Sequence, residues 1–226
     1  MAAAAPPDLD DGDILVVAHK AVSKAEGRVR RLGDVSPGER ARELAASQGK
    51  DARAVQVVLD ESASVLRAER GVIICETHHG FVCANAGVDA SNTAAEDELI
   101  LLPLDPDESA RRMRARIGSL RGARPAVVVS DSFGRAWRVG QTDVAIGAAG
   151  LRPLDDWIGR YDASGRELRA TAIAVADSVA AAADLARAKN SREPAVLVRG
   201  LMRVVMEDDG PGAAALRRER DMDLFR

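Results

Sequence analysis

Continuous apolar runs at three places along the chain predict buried strands. Each run is bounded by polar or small residues, and the three segments are 13–18, 126–129 and 195–198. Residues 28–32, which follow a compact connection over 19–27, also have an extended pattern. In segment 71–85 apolar and polar positions alternate around His79-Gly80, which predicts a β-hairpin.

Helical spacing and capping residues predict two helices in the first third of the chain. Ser36-Pro37-Gly38-Glu39 predicts a helix start. Serine can cap the helix, proline suits the first helical position, and the glutamate side chain can accept the backbone amide of the serine. This helix is expected to end near Gly49. A second helix is expected over residues 52–61.

Two more helices are expected further along. One begins at Asp105-Pro106, with a capping residue, a proline and a glutamate in the same order as in the first helix. Its apolar face consists of Ala110, Met113, Ile117 and Leu120. The other is Ala-rich over residues 167–188, apolar on most sides, and expected at the centre of the core. Helices and strands therefore interleave, but not as regular βαβ units, and there is no Gly-rich phosphate loop of the Walker or Rossmann kind.

The charge balance argues against a nucleic-acid partner. The 226 residues include 32 basic and 35 acidic side chains, for a formal net charge of -3, whereas nucleic-acid-binding domains are usually basic. Arginines cluster at 28–31 and 111–116, and these clusters are interpreted as solvated faces of a strand and a helix.

Cys75 and Cys83 are expected to be reduced, half-buried core thiols, which indicates a cytoplasmic protein. The N-terminus does not resemble a signal peptide, and no apolar stretch reaches the roughly 20 residues that a membrane span needs. We expect a disordered tail over 1–10, one domain over 11–206, and a loose, charged tail over 207–226.

Small and polar residues concentrate around Asp89 in the string NAGVDASN, residues 85–92. Small residues allow close approach of a ligand, and Asn and Asp tolerate the tight turns that this requires. An ordinary surface turn after the hairpin is an equal alternative. Lys20 and Lys24, which follow the first strand, are placed where cations could meet phosphate oxygens.

A second candidate is SDSFGR, residues 130–135, at the end of an apolar strand. Asp131 and the Ser132 hydroxyl are oxygen ligands of the kind that Mg²⁺ or Mn²⁺ prefers. The alternative is an aspartate that caps a turn. The following segment, 138–147, is also dense in polar residues, whereas His78-His79 suits a turn better than a metal site.

Taken together, these segments resemble the F420-0:gamma-glutamyl ligase family. The colinear matching strings are DGDILVVAHKAVSKAEGRVRRL from Asp11, GFVCANAGVDASN from Gly80, LLPLDPDESARRMR from Leu101, SDSFGRAWRVGQTDVAIGAAGLRPLDDWIGRYDASGRELRAT from Ser130 and PAVLVRGL from Pro194. The resemblance implies an unusual α+β fold, with antiparallel sheets and packed helices in an intertwined homodimer.

The resemblance also implies a reaction and its ligands. Family members bind GTP and two divalent cations, Mg²⁺ or Mn²⁺, with K⁺ as a further ion, and join L-glutamate to the lactyl-phosphate tail of coenzyme F420-0. On the matching positions, Asp89 and Asp131 would hold the first metal and Ser132 would contribute to the second. The nucleotide contacts would be His19, Lys20, Lys24 and Asn92. Arg138 and Asp143 are hypothesised to orient the substrate or the incoming amine.

The sequence departs from the family pattern at two places. Relatives carry a longer segment before the first strand, with a Gly-Leu/Ile-Pro motif that contacts the nucleotide, whereas 1–10 lacks it. The loop 187–193 lacks the family's Gly-Lys or Gly-Glu pattern, and Lys189 stands where some members have an acidic residue, so no site role is carried over to this loop. The alternatives are a non-catalytic relative that binds deazaflavin or metal, and an unrelated metal-dependent phosphoryl-transfer enzyme.

Overall fold

The computed structural model describes residues 8–188 and 190–224. The helices are α1 His19–Ala25, α2 Glu39–Gln48, α3 Ala52–Asp60, α4 Pro106–Arg121 and α5 Val175–Ala186. The strands are β1 Ile14–Ala18, β2 Val29–Arg31, β3 Ser62–Glu69, β4 Val72–Thr77, β5 Val82–Ala84, β6 Glu98–Ile100, β7 Ala126–Arg135, β8 Arg138–Ala149, β9 Leu154–Asp156, β10 Ala172–Ala174 and β11 Ala195–Val198. The predicted mixture of helices and strands is confirmed.

The chain divides into two units. Unit 1 consists of the described residues of Met1–Ala18, Asp105–Ser132 and Thr142–Arg226. Unit 2 consists of His19–Leu104 and Phe133–Gln141. Each unit has its own apolar cluster, which shows that the division follows packing and not only the order of the chain.

A four-stranded sheet with the order β11-β1-β7-β8 forms the frame of unit 1. Strand β1 runs antiparallel to β11 and parallel to β7. Only two residues join β7 to β8, a connection that permits only antiparallel pairing. The expectation of antiparallel sheets therefore holds except for the β1–β7 pair, and the predicted apolar runs of β1, β7 and β11 are confirmed as strands.

Helix α5 packs its apolar face into the core of unit 1. Its buried residues lie at a spacing of three and four, namely Val175, Ala176, Val179, Ala180 and Ala183. They contact buried sheet residues such as Val16 and Val128. Helix α4 begins as predicted, with the Asp105 carboxylate accepting the amide of Glu108 at 2.9 Å.

A three-stranded antiparallel sheet, β3-β4-β5, is the largest sheet of unit 2. The hairpin predicted around His79-Gly80 is formed by β4 and β5, and it places Cys75 opposite Cys83. Both cysteines are free thiols, and both are buried more deeply than the half-buried positions expected from the sequence. Helices α2 and α3 cover the face that carries Ile73 and Cys75. Strands β2 and β6 form a separate antiparallel pair.

Three local predictions are wrong. The connection over 19–27 contains helix α1. Ser36 does not cap α2, because the helix begins after Gly38, whose amide donates to the Gln56 side chain instead. The helix expected over 167–188 begins only at Val175, because residues 172–174 pair with β9 as strand β10.

The expectation of a loose tail from residue 207 fails for its first ten residues. The buried carboxylate of Asp107 accepts the amides of Ala213 and Ala214 at 2.7 and 3.1 Å. Arg114, expected on a solvated face, is 2% exposed and donates to the carbonyl oxygens of Met206 and Glu207. Segment 207–216 is thus fixed to α4 by side chains that satisfy its backbone.

The predicted domain boundaries and the intertwined dimer stay predictions, and residues 1–7 of the expected N-terminal tail lie outside the described residues. Asp8, which lies within that expected tail, is paired with Arg199 at 2.9 Å. Within residues 8–188 and 190–224, none of the helices combines the length and apolar character that a membrane crossing requires.

Candidate functional site: a lysine–aspartate cluster and a serine–aspartate–arginine cluster

Helix α1 places Lys20 and Lys24 one turn apart on unit 2. The Lys20 ammonium lies 2.7 Å from Oδ2 of Asp89 and donates to Ser91 Oγ at 2.5 Å. Lys24 donates to the backbone carbonyl of Asn92, also at 2.5 Å. We call these residues, Lys20, Lys24, Asp89, Ser91 and Asn92, the lysine–aspartate cluster. It unites four residues that the sequence had nominated for nucleotide or metal binding.

The backbone before Asp89 explains why this segment needs small residues. Asn85, Ala86 and Gly87 all have positive φ, at 52°, 53° and 72°. A Cβ at Gly87 would lie 2.7 Å from the buried side chain of Leu102, so both its φ and its surroundings favour glycine. After this turn, Asp89 exchanges two backbone hydrogen bonds with Ile100, which fixes its position.

The electrostatic surroundings keep Asp89 ionised. Partial burial alone would raise the pKa of the Asp89 carboxyl, but the Lys20 ammonium and the Ser91 amide stabilise the charged form. The net effect lowers its pKa below the usual value of an aspartate. The carboxylate is therefore an anionic oxygen ligand that already holds one cationic group.

His19, the remaining predicted nucleotide contact, is buried at the start of α1. Its Nδ1 lies 3.4 Å from Ser23 Oγ, one turn further along the same helix. The structure shows this residue packed inside unit 2, so its predicted role at the nucleotide stays a prediction.

A second group of polar residues lies in unit 1, on β7, β8 and the segment after α5. The Asp143 carboxylate accepts Ser132 Oγ–H on Oδ1 at 2.6 Å and Ser130 Oγ–H on Oδ2 at 2.8 Å. Arg187 Nη2 donates to the same Oδ2 at 2.6 Å. We call these four residues, Ser130, Ser132, Asp143 and Arg187, the serine–aspartate–arginine cluster.

The charged pair of this cluster is deeply buried. The Asp143 side chain is 4% exposed and that of Arg187 is 8% exposed. Asp143 is predicted to orient the substrate or the incoming amine, and that role stays a prediction. The sequence analysis does not predict Arg187 as a site residue. Its position directly after an apolar helix is the one feature of the sequence that could have indicated it.

Asp131 and Arg138 are the remaining residues that the sequence predicts for the site. Asp131 is half-buried beside the cluster, and its Oδ1 accepts the amide of Ser132 at 2.8 Å. Arg138, at the start of β8, is exposed in the part of the hairpin that belongs to unit 2. Lys189 lies outside the described residues.

Side chains in and beside the two clusters suit a divalent cation. Asp89 and Asp131 supply carboxylate oxygens, and the Ser132 hydroxyl points its proton at Asp143, so the oxygen can act as a ligand. Among residues 8–188 and 190–224, no group of three or more His, Cys, Asp or Glu is arranged for a metal ion. Asp89 and Asp131 belong to different units, and their convergence on one cation site stays a prediction.

Comparison with known proteins decides the family. Residues 2–200 match the family described as F420-0:Gamma-glutamyl ligase. The chain belongs to this family. The matched region contains every residue of the lysine–aspartate and serine–aspartate–arginine clusters, so the resemblance drawn from the motifs is confirmed over nearly the whole chain.

Curated members of the F420-0:gamma-glutamyl ligase family are similar over most of their length. The Coenzyme F420:L-glutamate ligase of Archaeoglobus fulgidus is 49% identical over 193 residues, which cover 85% of this chain and 77% of that protein. The proteins of the same name from Methanothermobacter thermautotrophicus and Methanopyrus kandleri are each 43% identical over 221 residues, or 97% of this chain. They cover 86% and 87% of those proteins.

Proposed function

We propose that this protein is a GTP-dependent ligase that adds L-glutamate to the lactyl-phosphate tail of coenzyme F420-0. The observation that supports this most strongly is the family match over residues 2–200, together with 49% identity to a Coenzyme F420:L-glutamate ligase. At this level of similarity over most of both chains, a shared reaction is the simplest explanation for the shared polar motifs.

The chemistry requires activation of an acid. A carboxylate resists attack by an amine, because oxide would have to leave. In the proposed reaction, a carboxylate oxygen of the coenzyme tail attacks the γ-phosphorus of GTP and GDP departs, which gives an acyl phosphate. The glutamate amine then attacks the carbonyl carbon, phosphate leaves with the carboxylate oxygen, and the amine loses a proton. No enzyme nucleophile is needed, so catalysis depends on positioning and charge neutralisation.

The two clusters, together with His19 and Asp131, provide groups for both tasks. Lys20 and Lys24 carry ammonium groups that can meet phosphate oxygens, with Asn92 and His19 as further nucleotide contacts. Asp89, Asp131 and Ser132 would hold two Mg²⁺ or Mn²⁺ ions. When bound, such ions neutralise the charge that develops on the transferred phosphoryl group.

Further parts of the proposal concern orientation and assembly. Arg138 is exposed and cationic, which suits contact with an anionic substrate. Asp143 is proposed to help orient the substrate or the amine, directly or through its neighbours. A homodimer and a K⁺ ion complete the proposed working enzyme.

A single assay tests the function. The protein is incubated with coenzyme F420-0, L-glutamate, GTP and Mg²⁺ or Mn²⁺, and mass spectrometry is used to detect coenzyme with added glutamyl units. We expect product only when both GTP and a divalent cation are present. Asp131→Asn is expected to fold normally but to lose turnover. A folded wild-type protein that makes no product would instead favour a non-catalytic relative.

A further inference from the structure

The hydrogen bonds of the serine–aspartate–arginine cluster have one consistent direction. An ionised carboxylate only accepts hydrogen bonds, so both serine hydroxyls must point their single protons at Asp143. Arg187 Nη2 donates to Asp143 Oδ2 and also, at 3.1 Å, to Ser130 Oγ. Oδ2 is thus held by two donors, and Oδ1 is left to receive the proton of Ser132.

The stability of a buried ion pair does not by itself explain this arrangement. Removing two charges from water is costly, and a well-packed apolar pair is often equally stable. Arg187 is also incompletely satisfied, because its Nη1 is buried and finds no acceptor among the described residues. A buried donor without an acceptor does not add to stability, so stability alone does not explain the network.

We propose that Asp143, held in place by Arg187, is a positioning residue that turns the Ser132 hydroxyl so that its oxygen faces a bound divalent cation. The proposal rests on the proposed function in one respect, namely that Ser132 is a cation ligand. A serine hydroxyl can rotate, and a proton directed at a cation would oppose binding. Asp143 removes that possibility by accepting the proton at 2.6 Å.

The substitution Asp143→Asn tests the direction of this hydrogen bond. Arg187 and Ser130 both donate to the Oδ2 position, so the amide oxygen of asparagine should take that position. The amide nitrogen would then face Ser132 and donate to its oxygen. As a result, the Ser132 proton would turn away from residue 143 and toward the cation.

Mn²⁺ affinity, measured by electron paramagnetic resonance in the presence of GTP, is the readout, and it needs no turnover. Asp143→Asn is expected to weaken Mn²⁺ binding about 10–100-fold, the usual effect of losing a group that orients a metal ligand. The same substitution made in a Ser132→Ala background is expected to cost at least about tenfold less, because no hydroxyl remains to be misdirected. This double-mutant cycle subtracts the general loss of negative charge, which is present in both backgrounds.

The direction in which Arg187→Met changes Mn²⁺ affinity distinguishes a purely electrostatic role of Arg187 from a positioning role. Arg187→Met removes a positive charge, so a purely electrostatic role predicts tighter Mn²⁺ binding. The positioning role predicts weaker binding, because Asp143 is then able to rotate. Arg187→Lys, which keeps a charged donor, is expected to restore part of the affinity. If Arg187→Met does not fold, the double-mutant cycle between Asp143 and Ser132 still tests the positioning role.

A matched control comes from the same unit. Asp155 is a buried carboxylate with an indole donor and two arginine partners but no serine, so Asp155→Asn should leave Mn²⁺ affinity unchanged. Thermal unfolding of each variant confirms that it is folded.

Equal losses from Asp143→Asn in both backgrounds would overturn the positioning role, as would wild-type protein that binds no Mn²⁺. The outcome of the ligase assay is independent of this result. A protein that shows the coupling but adds no glutamate keeps the positioning role and loses the ligase function. A protein that adds glutamate without the coupling does the reverse.

Discussion

The ammonium nitrogen of Lys20 lies 2.7 Å from a carboxylate oxygen of Asp89. One of these residues is proposed to contact nucleotide phosphates and the other to bind a divalent cation. In this structure they neutralise each other. A cation that binds Asp89 therefore competes with Lys20, and a phosphate that draws Lys20 away leaves Asp89 open to the cation. The pair couples the two proposed ligands.

This coupling makes Lys20→Met a variant with opposite effects on the two ligands. Mn²⁺ measured without nucleotide should bind up to about fivefold more tightly, since a partly exposed ion pair contributes up to about 1 kcal/mol. GTP should bind roughly 10–100-fold more weakly, because a charge-assisted hydrogen bond is lost. Calorimetry with each ligand measures both effects.

Lys24→Met is the matched control, because Lys24 contacts a backbone carbonyl and not a carboxylate. It should weaken GTP binding and leave Mn²⁺ affinity unchanged. If Lys20→Met weakens the binding of both ligands, Lys20 supports the conformation of Asp89 and does not compete with the cation.

Arg114 is expected to be the most costly arginine of α4 to replace. Its guanidinium satisfies the carbonyls of Met206, Glu207 and Asp208 and pairs with Asp209 at 2.7 Å. Arg114→Met should lower the free energy of unfolding by about 1–3 kcal/mol, because the carbonyl oxygens of segment 206–208 lose their donor.

Arg116 lies on the exposed side of the same helix, and Arg116→Met should change the free energy of unfolding by less than about 0.5 kcal/mol. Urea denaturation measures both variants. Similar small losses would show that segment 206–209 is held mainly by other contacts.

Alanine substitutions at Gly87 and Gly122 distinguish the cost of backbone strain from the cost of side-chain crowding. Both have positive φ, but a Cβ at Gly122 meets open space whereas one at Gly87 meets the buried Leu102. Gly122→Ala should cost about 1 kcal/mol of stability from strain alone. Gly87→Ala should cost about 1–3 kcal/mol more, from overpacking. Equal losses in denaturation experiments would mean that Leu102 moves aside without cost.

Asp177 should make the stability of unit 1 depend on pH. Burial raises the pKa of its carboxyl, against the effect of the Ala145 amide that it accepts at 2.9 Å. The folded protein therefore holds this proton more tightly than the unfolded chain, so stability falls as the pH rises through the raised pKa. Asp177→Asn should be more stable than the wild type at pH 7.

This advantage should shrink as the pH is lowered toward the ordinary pKa of aspartate. Asp156 is an exposed aspartate that also accepts one backbone amide, and Asp156→Asn is not expected to stabilise the protein. Denaturation curves at several pH values test the trend. An Asp177→Asn variant that is less stable than the wild type at pH 7 would show that the charged carboxylate is favoured there.

Much of the local structure could be predicted from the sequence. The apolar runs that became β1 and β11 and the cap of α4 by Asp105 depend on neighbouring residues, which are visible in sequence. The family motifs also placed Lys20 and Asp89 in one proposed site, and the structure pairs them. Such features are local, or they belong to strings long enough to identify a family.

Other features were decided by residues distant along the chain. Residues 172–174 are strand and not helix because β9 offers hydrogen bonds to them, which outweigh their helical composition. Arg114 is buried because backbone carbonyls more than ninety positions away accept its protons. Arg187 belongs to the cluster because folding brings it to Asp143, 44 positions earlier. The sequence by itself determined the family, the chemical groups and the local starts of elements. Only the tertiary structure determined which buried charges are paired, because the cost of burying a charge depends on the partner that folding provides.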